Sequence, residues 1–305
     1  MDSSAQPNGD DNTTQTPPGS ITSPVPHQAS ASVSVAGGMN EMNPSTSSND
    51  HSIVPLIICS MLTDDTRPRV HEQSIWTEYQ IGENDWVILK NSLATIYRTP
   101  RFDYFSQTHT FAYQILSDAH EHYLFGLSIA LRNKLFRLGS SRREHAFMHN
   151  MLFYNRGGAK PLDSNSGMHQ MDGFLRNDDL PSYGVGVEIA FSQKRARLQE
   201  LAEFHLLQSE QSVQWLLVID FDHPRSKKVS LLTWKLCNCD VSGARELEVH
   251  DQVIRDENGA LIPGDPLEIS LLDIAPYHIV PPSLREKTIE LSVEEIFKIV
   301  DGKES

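Results

Sequence analysis

The stretch PSYGVGVEIAFSQKRARLQELAEFHLL, residues 181–207, decides the fold together with SVQWLLVIDFD at residues 212–222. The apolar run from Val185 to Phe191 predicts a buried strand, and the amphipathic spacing from about Gln193 to Gln208 predicts a helix. Val213 to Phe221 is apolar almost throughout, which is typical of a strand covered on both faces. This order of strand, helix and strand predicts two neighbouring strands joined by a right-handed crossover.

Further strands and a long helix are predicted on either side of this unit. From about Phe111 to Leu138 apolar residues recur at helical spacing, and Gly139-Ser140-Ser141 ends the helix. HAFMHNMLFYN at 145–155 predicts a strand, a second short strand follows near Met168 to Leu175, and Lys228 to Trp234 predicts a hairpin partner for the last strand. The whole order predicts an α/β fold with a mixed central sheet flanked by helices.

The patterns at the two ends of this core are weaker. Residues 54–108 alternate short apolar runs with turn residues and predict a small β-rich region, in which VPLIICSML at 54–62 is a buried strand. Leu267 to Leu272 predicts an edge strand. LSVEEIFKIV at 291–300 predicts a closing helix, because Ser292 and Glu295 have the spacing of a capping box.

Composition predicts one folded domain behind a polar tail. Residues 1–53 are rich in Ser, Thr, Pro, Asn and Gln and contain no Lys or Arg, which predicts disorder. The sequence predicts a single domain over residues 54–305, with its core at about 110–236 and an acidic extension at 237–305. The net charge of −14 argues against general nucleic-acid binding. Asp118 to Leu198 nevertheless has eleven Lys and Arg against eight Asp and Glu, which permits an acidic partner there.

Targeting features and cysteine content indicate the cellular compartment of the protein. No apolar run approaches membrane-spanning length, and the start lacks the features of a signal or transit peptide, so no membrane partner is predicted. Cys59, Cys237 and Cys239 lack metal-like spacing and predict reduced thiols. These features predict an intracellular protein of the cytoplasm or nucleus, and they leave its oligomeric state open.

Asp172 and Glu188 are the candidate site residues. Two carboxylates at the ends of adjacent strands supply the oxygen ligands that Mg²⁺ prefers, and Mn²⁺ could substitute. Such a metal lowers the pKa of a bound water and neutralises charge on a phosphodiester. A carboxylate inside the run VGVEIAF is hard to explain as packing, because buried Glu is rare unless it is paired. The alternative is that Glu188 points to solvent or pairs with Lys194 or Arg195.

These features together resemble the PD-(D/E)XK restriction-endonuclease-like superfamily over roughly residues 118–236. GVEIAFSQKRARLQELAEFHL is similar to a segment of uncharacterised fungal members, which typically show E-V-G-x-S-Q there, and of putative restriction endonucleases abundant in cyanobacteria. EHYLFGLSIALRNKL resembles the helix that opens their core. The resemblance implies an αβββαβ core and metal-dependent phosphodiester hydrolysis on nucleic acid.

The resemblance also implies roles for single residues. Asp172 matches the first metal-binding acid, Glu188 matches the second, and Glu121 matches an acid that some members add. Met171 stands where the motif has Pro. Ala190 stands where the motif has the catalytic Lys, which orients the attacking water and stabilises negative charge. The loss of this lysine predicts a large loss of activity unless another residue replaces it.

Replacements and phosphate contacts are expected at the start of the next helix. Gln193 or Lys194 would reach back to position the water. Arg195 and Arg197 would contact backbone phosphates without reading sequence. The rival interpretation is a non-catalytic interaction module that keeps the fold and has lost the chemistry, and both Ala190 and the acidic total favour it.

Other candidate residues carry weaker signals. His145 and His149 are four apart, which suits zinc on a helix, but a strand is predicted there and alternation alone would put both on one face. His120 and His122 are predicted as polar positions on the first helix of the core. Ser192 lacks the Gly-x-Ser-x-Gly context of a nucleophile, and the sequence has neither a phosphate-binding P-loop nor a dinucleotide fingerprint.

Overall fold

Helices and strands alternate along the chain. The computed structural model describes residues 52–65, 75–95, 101–159, 167–180, 183–191, 195–209, 213–222, 226–238 and 245–302. The helices are α1 (Val54–Asp65), α2 (Glu83–Leu93), α3 (Asp118–Arg137), α4 (Arg142–His149), α5 (Arg195–Glu203), α6 (Leu271–Ile274) and α7 (Val293–Asp301). The strands are β1 (Ile75–Gln80), β2 (Arg101–Phe105), β3 (Thr110–Ile115), β4 (Met151–Ala159), β5 (His169–Asn177), β6 (Gly184–Phe191), β7 (Trp215–Phe221), β8 (Val229–Asn238), β9 (Arg245–Arg255), β10 (Leu267–Ser270) and β11 (Thr288–Leu291).

The central sheet has six strands in the order β4-β5-β6-β7-β8-β9. Its neighbours are antiparallel except β6 and β7, which run parallel from Val185 opposite Trp215 to Phe191 opposite Phe221. Parallel neighbours need a crossover connection, and α5 lies between these two strands in the chain. The predicted pairing of the two strands and the mixed sheet flanked by helices are therefore confirmed.

Both faces of the central sheet are covered by helices. On one face α3 packs Leu127, Leu131 and Leu135 against Val187 and Ile189 of β6. On the other face Leu198, Leu201 and Ala202 of α5 pack in a second core with Ala190, Leu216 and Val218. The side chains of β6 alternate between the two cores, which explains why this strand is buried along its whole length.

The N-terminal region is a mixed layer and is not β-rich as predicted. A three-stranded sheet of order β1-β3-β2 packs with α1 and α2 around a third core that contains Ile57, Leu89 and Phe102. The predicted strand at residues 54–62 is wrong, because these residues belong to α1. An apolar run of this length fits a buried strand or a helix equally well, so periodicity could not decide between them.

Two boundaries in the core also differ from prediction. Residues 110–115 form β3, which pairs with both β1 and β2, so the long helix begins only at Asp118 after the cap Ser117. The predicted strand at 145–155 is helical up to His149, because a capping box between Ser141 and Glu144 starts α4 there. In both places a local cap sets the boundary, and apolar spacing does not reveal it.

The elements from α5 to α7 follow the prediction in part. The helix predicted at 193–208 is α5 followed by a π-helical turn, Phe204–Gln208. The prediction does not include β9, whose side chains are mostly exposed. The strand near Leu267 is β10, and it pairs with β11 in a separate two-stranded sheet. The capping box of α7 is confirmed. Residues 1–51 of the predicted tail lie outside the described residues, and no described helix is long and apolar enough to cross a membrane.

Candidate functional site

Two buried carboxylates, Asp172 on β5 and Glu188 on β6, contact one positive charge. Arg101 Nη1 lies 2.7 Å from Asp172 Oδ1, and Arg101 Nη2 lies 2.6 Å from Glu188 Oε2. Arg101 is 3% exposed and each acid is 1% exposed. The alternative in which Glu188 points to solvent is therefore wrong. The two predicted site residues converge on a shared cation, and that cation is a guanidinium from another part of the chain.

Arg101 reaches the carboxylates because β2 packs against β5. Alternation along β2 directs Phe102 and Tyr104 into the N-terminal core, so Arg101 and Asp103 face the central sheet. Backbone hydrogen bonds of 2.8 and 3.0 Å between Tyr104 and Met168 fix β2 next to the beginning of β5. The backbone pairing thus sets the position of the guanidinium.

The second carboxylate oxygen of Asp172 is held by groups from α3 and β6. His120 Nε2 lies 2.9 Å from Asp172 Oδ2, and the backbone N–H of Ile189 donates to the same oxygen over 2.8 Å. Ser117 Oγ accepts from the backbone N–H of His120 at 3.1 Å, which fixes the first turn of α3 and with it the imidazole. Each oxygen of Asp172 therefore has its own partners, and the carboxylate is fixed in orientation.

A third carboxylate extends the cluster. Asp103 Oδ2 lies 3.8 Å from Arg101 Nη2, and Asp103 Oδ1 lies 3.2 Å from His169 Nδ1. Gln114 Oε1 accepts a hydrogen bond of 3.3 Å from Arg101 Nη1. We call this group of buried side chains the Arg101 cluster; its members are Arg101, Asp103, His120, Asp172 and Glu188.

Burial and charge act in opposite directions inside the Arg101 cluster. Burial disfavours the ionised form of Asp172, but Arg101 and His120 outweigh it and hold the pKa of this carboxyl well below its usual range. Burial raises the pKa of Glu188 well above its usual range, because Arg101 only partly offsets it and Asp172 adds repulsion. Burial also opposes the charge on Arg101, yet the carboxylates raise the pKa of its guanidinium. These shifts favour a charged Arg101 and an ionised Asp172, and they extend the protonated form of Glu188 to higher pH than in a free glutamate.

The structure describes only some of the residues expected to assist the two acids. Gln193 and Lys194 lie in residues 192–194, outside the described residues, so their predicted role stays a prediction. Glu121 is half-buried on α3, and the neighbouring residue His120 is the one that contacts Asp172. Ala190 is 1% exposed and packs in the core under α5.

The two arginines predicted to contact phosphate have carboxylate partners. Arg195 forms an ion pair with Asp251 on β9, and its Nε lies 3.6 Å from Asp220 on β7. Arg197 Nη1 lies 2.6 Å from Glu200 Oε2, one helical turn further along α5. A phosphate group would have to compete with these carboxylates for both guanidinium groups.

Asp172 and Glu188 carry the oxygens in this cluster that could hold a metal ion. A divalent cation between them would have to displace the guanidinium that contacts both. In the described ranges, no three or more His, Cys, Asp or Glu side chains are arranged as the ligands of one metal ion. His145 and His149 lie on helix α4, where their spacing suits zinc, and not on the predicted strand; both are exposed.

Arg101, Asp103 and His120 belong to the site although no motif predicts them. His120 is predicted as a polar position on the helix surface, whereas the structure buries it completely. The available signal was the run RFDYF at 101–105, in which charged and aromatic residues alternate. Charged side chains in a buried strand are rare unless they are paired, so this run predicts ionic partners without identifying them.

The chain matches no protein-family model, and no curated protein matches it significantly.

Proposed function

We propose that this chain has a nuclease-like core that does not hydrolyse phosphodiesters and that it functions as a protein-interaction module. The observation that carries the proposal is the position of Arg101, whose guanidinium contacts both Asp172 and Glu188. This fixed positive charge lies where a catalytic metal ion would bind. The carboxylates of Asp172 and Glu188 are therefore already balanced by a cation of the protein, without a metal ion.

The arrangement of the fold supports a nuclease-like core. Apart from the short helix α4 between α3 and β4, the elements α3, β4, β5, β6, α5 and β7 have the order αβββαβ that the resemblance implies. The first predicted acid lies on the second of these strands and the other acid lies on the third. Their side chains meet at one guanidinium, as acids that once shared a metal ion would.

The energetics of burial argue against a metal ion in the same place. Breaking a buried ion pair costs about 3–5 kcal/mol, because an uncompensated charge is left behind. A divalent cation would have to offset this loss for Arg101 and would also need the ionised form of Glu188, which burial disfavours by raising the pKa of this carboxyl. We therefore expect metal binding at this pair to be weak.

Among the described residues, the other predicted parts of a catalytic site are missing or engaged elsewhere. Position 190 holds a buried alanine, so no amine is available there to position a water. Arg195 and Arg197 are engaged with carboxylates. With exposures of 1%, Asp172 and Glu188 are inaccessible to a phosphodiester unless β2 moves away from β5.

The rival function is a nuclease that uses Mg²⁺ or Mn²⁺ on nucleic acid. The convergence of Asp172 and Glu188 favours it, and Gln193 or Lys194 would then replace the missing lysine. Both proposals assume the same fold and differ in whether Arg101 leaves the carboxylates. The cytoplasm or the nucleus stays the expected compartment for either function, on the cysteine content of the sequence.

A cleavage assay separates these two functions. The purified chain and Glu188→Gln, prepared in the same way, are incubated with single-stranded DNA, duplex DNA and RNA in Mg²⁺, Mn²⁺ or EDTA. We expect equal, background cleavage from both proteins in every metal. Cleavage by the natural chain that needs the metal and is absent from Glu188→Gln would overturn the proposal, provided that circular dichroism shows both proteins folded.

A further inference from the structure

A small cavity opens beside the Arg101 cluster, between β2 and the end of α5. It has a volume of about 30 Å³, enough for a group of one or two non-hydrogen atoms. His169, Phe105 and Phe204 lie along its walls together with Glu200 and Glu203. Two glutamines, a serine and Gly167 complete the lining. Among the residues that the structure describes, the lining contains no Lys or Arg.

The imidazole of His169 is held in one orientation. Phe105 and Phe204 contact the ring, each with its centroid 4.6 Å from the centroid of His169. Nδ1 lies 3.2 Å from Asp103 Oδ1, which also accepts from the backbone N–H of Gln170. A carboxylate oxygen accepts hydrogen bonds, so Nδ1–H donates to Asp103 and Nε2 is the ring nitrogen left for another partner.

Nε2 of His169 is aimed into the cavity. The residue is 3% exposed, and Nε2 has no hydrogen-bond partner among the described residues. Gly167, another residue of the cavity wall, lies in front of this nitrogen: a Cβ at Gly167 would be 2.8 Å from it. With the proton on Nδ1, Nε2 carries the lone pair of the ring and can accept from a donor that enters the cavity.

Carboxylates and an aromatic face give the cavity a preference for cations. Glu200 pairs with Arg197, whose guanidinium lies 4.2 Å from the centroid of the Phe105 ring. Glu200 and Phe105 at the cavity therefore already contact one cation, the guanidinium of Arg197. Glu203 accepts from the Gln199 side chain at 2.9 Å and has no cationic partner in the described part of the chain. One carboxylate is thus available to a second cation.

We propose that this cavity binds the ammonium group of a lysine side chain from a basic segment of a partner protein. An ammonium has three donors, and His169, Glu203 and two glutamines, all with groups that can accept hydrogen bonds, line the cavity. The volume admits an ammonium head and excludes a planar guanidinium. The net charge of −14 attracts a basic segment over a longer range. The proposal rests on the chain being an interaction module, and it names the partner's chemistry.

Peptide binding tests this proposal with the full chain. Fluorescein-labelled peptides of one sequence, with four lysines, four arginines or four trimethyl-lysines, are titrated by fluorescence anisotropy in EDTA at low salt. We expect the lysine peptide to bind about tenfold more tightly than either of the others, because trimethyl-lysine keeps its charge and has no donors. Equal affinities for the three peptides, or no binding of the lysine peptide, would overturn the proposal.

A matched pair of variants locates the binding site. Glu203→Gln removes the available carboxylate of the cavity, whereas Glu246→Gln makes the same change of charge on the exposed strand β9. We expect Glu203→Gln to lower the affinity for the lysine peptide about tenfold. We expect Glu246→Gln to change this affinity less than twofold. Equal effects would assign the binding to general surface charge and would contradict the cavity as the site. Because no metal is present, the outcome is independent of the cleavage assay.

Discussion

Asp172 and Glu188 of the Arg101 cluster have pKa values shifted in opposite directions although both contact the same guanidinium. Asp172 faces both Arg101 and His120, so it is stabilised as an anion. Glu188 shares Arg101 with two other acids, and burial favours its neutral form. A protonated Glu188 can donate to Asp172 and still present its second oxygen to Arg101. Removing one partner of such a network costs more than replacing it with a side chain that keeps its hydrogen bonds.

The raised pKa of Glu188 predicts how stability changes with pH. Because its pKa in the folded protein lies above the unfolded value of about 4.3, its contribution is complete below that value and is lost as pH rises through the folded pKa. Between the two pKa values the free energy of unfolding should decrease by about 1.4 kcal/mol per pH unit. Asp172 behaves in the opposite sense, because its contribution is lost as pH falls through its lowered pKa.

Urea unfolding of Glu188→Gln across a pH series checks this prediction. Glutamine has the shape and neutrality of the protonated acid, with a carbonyl for Arg101 and an amide for Asp172. We therefore expect the variant to lose the decrease in stability that Glu188 causes. Glu268→Gln on the exposed face of β10 should keep it. An unchanged pH dependence in Glu188→Gln would show that Glu188 is ionised in the folded protein.

At the scale of elements, helix caps determine boundaries that apolar spacing does not. Capping boxes start α4, α6 and α7 at Ser141, Ser270 and Ser292. In α7 the Ser292 hydroxyl accepts from the backbone N–H of Glu295 at 3.3 Å, and Glu295 returns a carboxylate to the backbone N–H of Ser292 at 3.0 Å. These reciprocal bonds satisfy donors that the first turn of a helix leaves open.

Ser292→Ala should lower the free energy of unfolding by about 1 kcal/mol, because one of these donors loses its acceptor. Urea denaturation measures the change. The control is Ser128→Ala in α3, where the hydroxyl donates only to the Phe125 carbonyl of the same helix and alanine favours the helical backbone. If both variants lose the same stability, the cap contributes nothing specific to α7.

The elements that sequence predicts well are those with a strong pattern. β6 and β7 are continuous apolar runs buried on both faces, and the box of Ser292 and Glu295 stands directly before an amphipathic helix. The apolar pattern does not predict β9, because most of the side chains of this strand are exposed and polar. The helix α1 was indistinguishable from a strand, because its apolar run is short and periodicity alone does not separate the two structures.

The candidate site shows the limit of sequence reasoning at the scale of the whole molecule. Asp172 and Glu188 could be predicted because they lie near each other in sequence on two strands of a hairpin. Arg101 and Asp172 are separated by 71 residues, and only the packing of the N-terminal sheet on β5 brings them together. A contact of this kind depends on tertiary structure and has no local signal, so the guanidinium between the acids could not be foreseen.

The same packing connects the two proposed properties of the protein. Asp103 contacts Arg101 with one carboxylate oxygen and His169 with the other. The ion pairs that occupy the carboxylates therefore also orient the histidine of the cavity. On this account the N-terminal sheet supplies the charge that replaces a metal ion and one wall of the proposed lysine site.

The central claim is that Arg101, and not a metal ion, is the cation shared by Asp172 and Glu188. The free energy of unfolding of the natural chain, measured in EDTA and in Mn²⁺, tests it most directly, because an ion that binds the folded state stabilises it. A concentration of Mn²⁺ 100 times the dissociation constant would add about 2.7 kcal/mol. We predict equal stability in EDTA and in 10 mM Mn²⁺. A stabilisation of about 1 kcal/mol or more that disappears in Glu188→Gln would contradict the account.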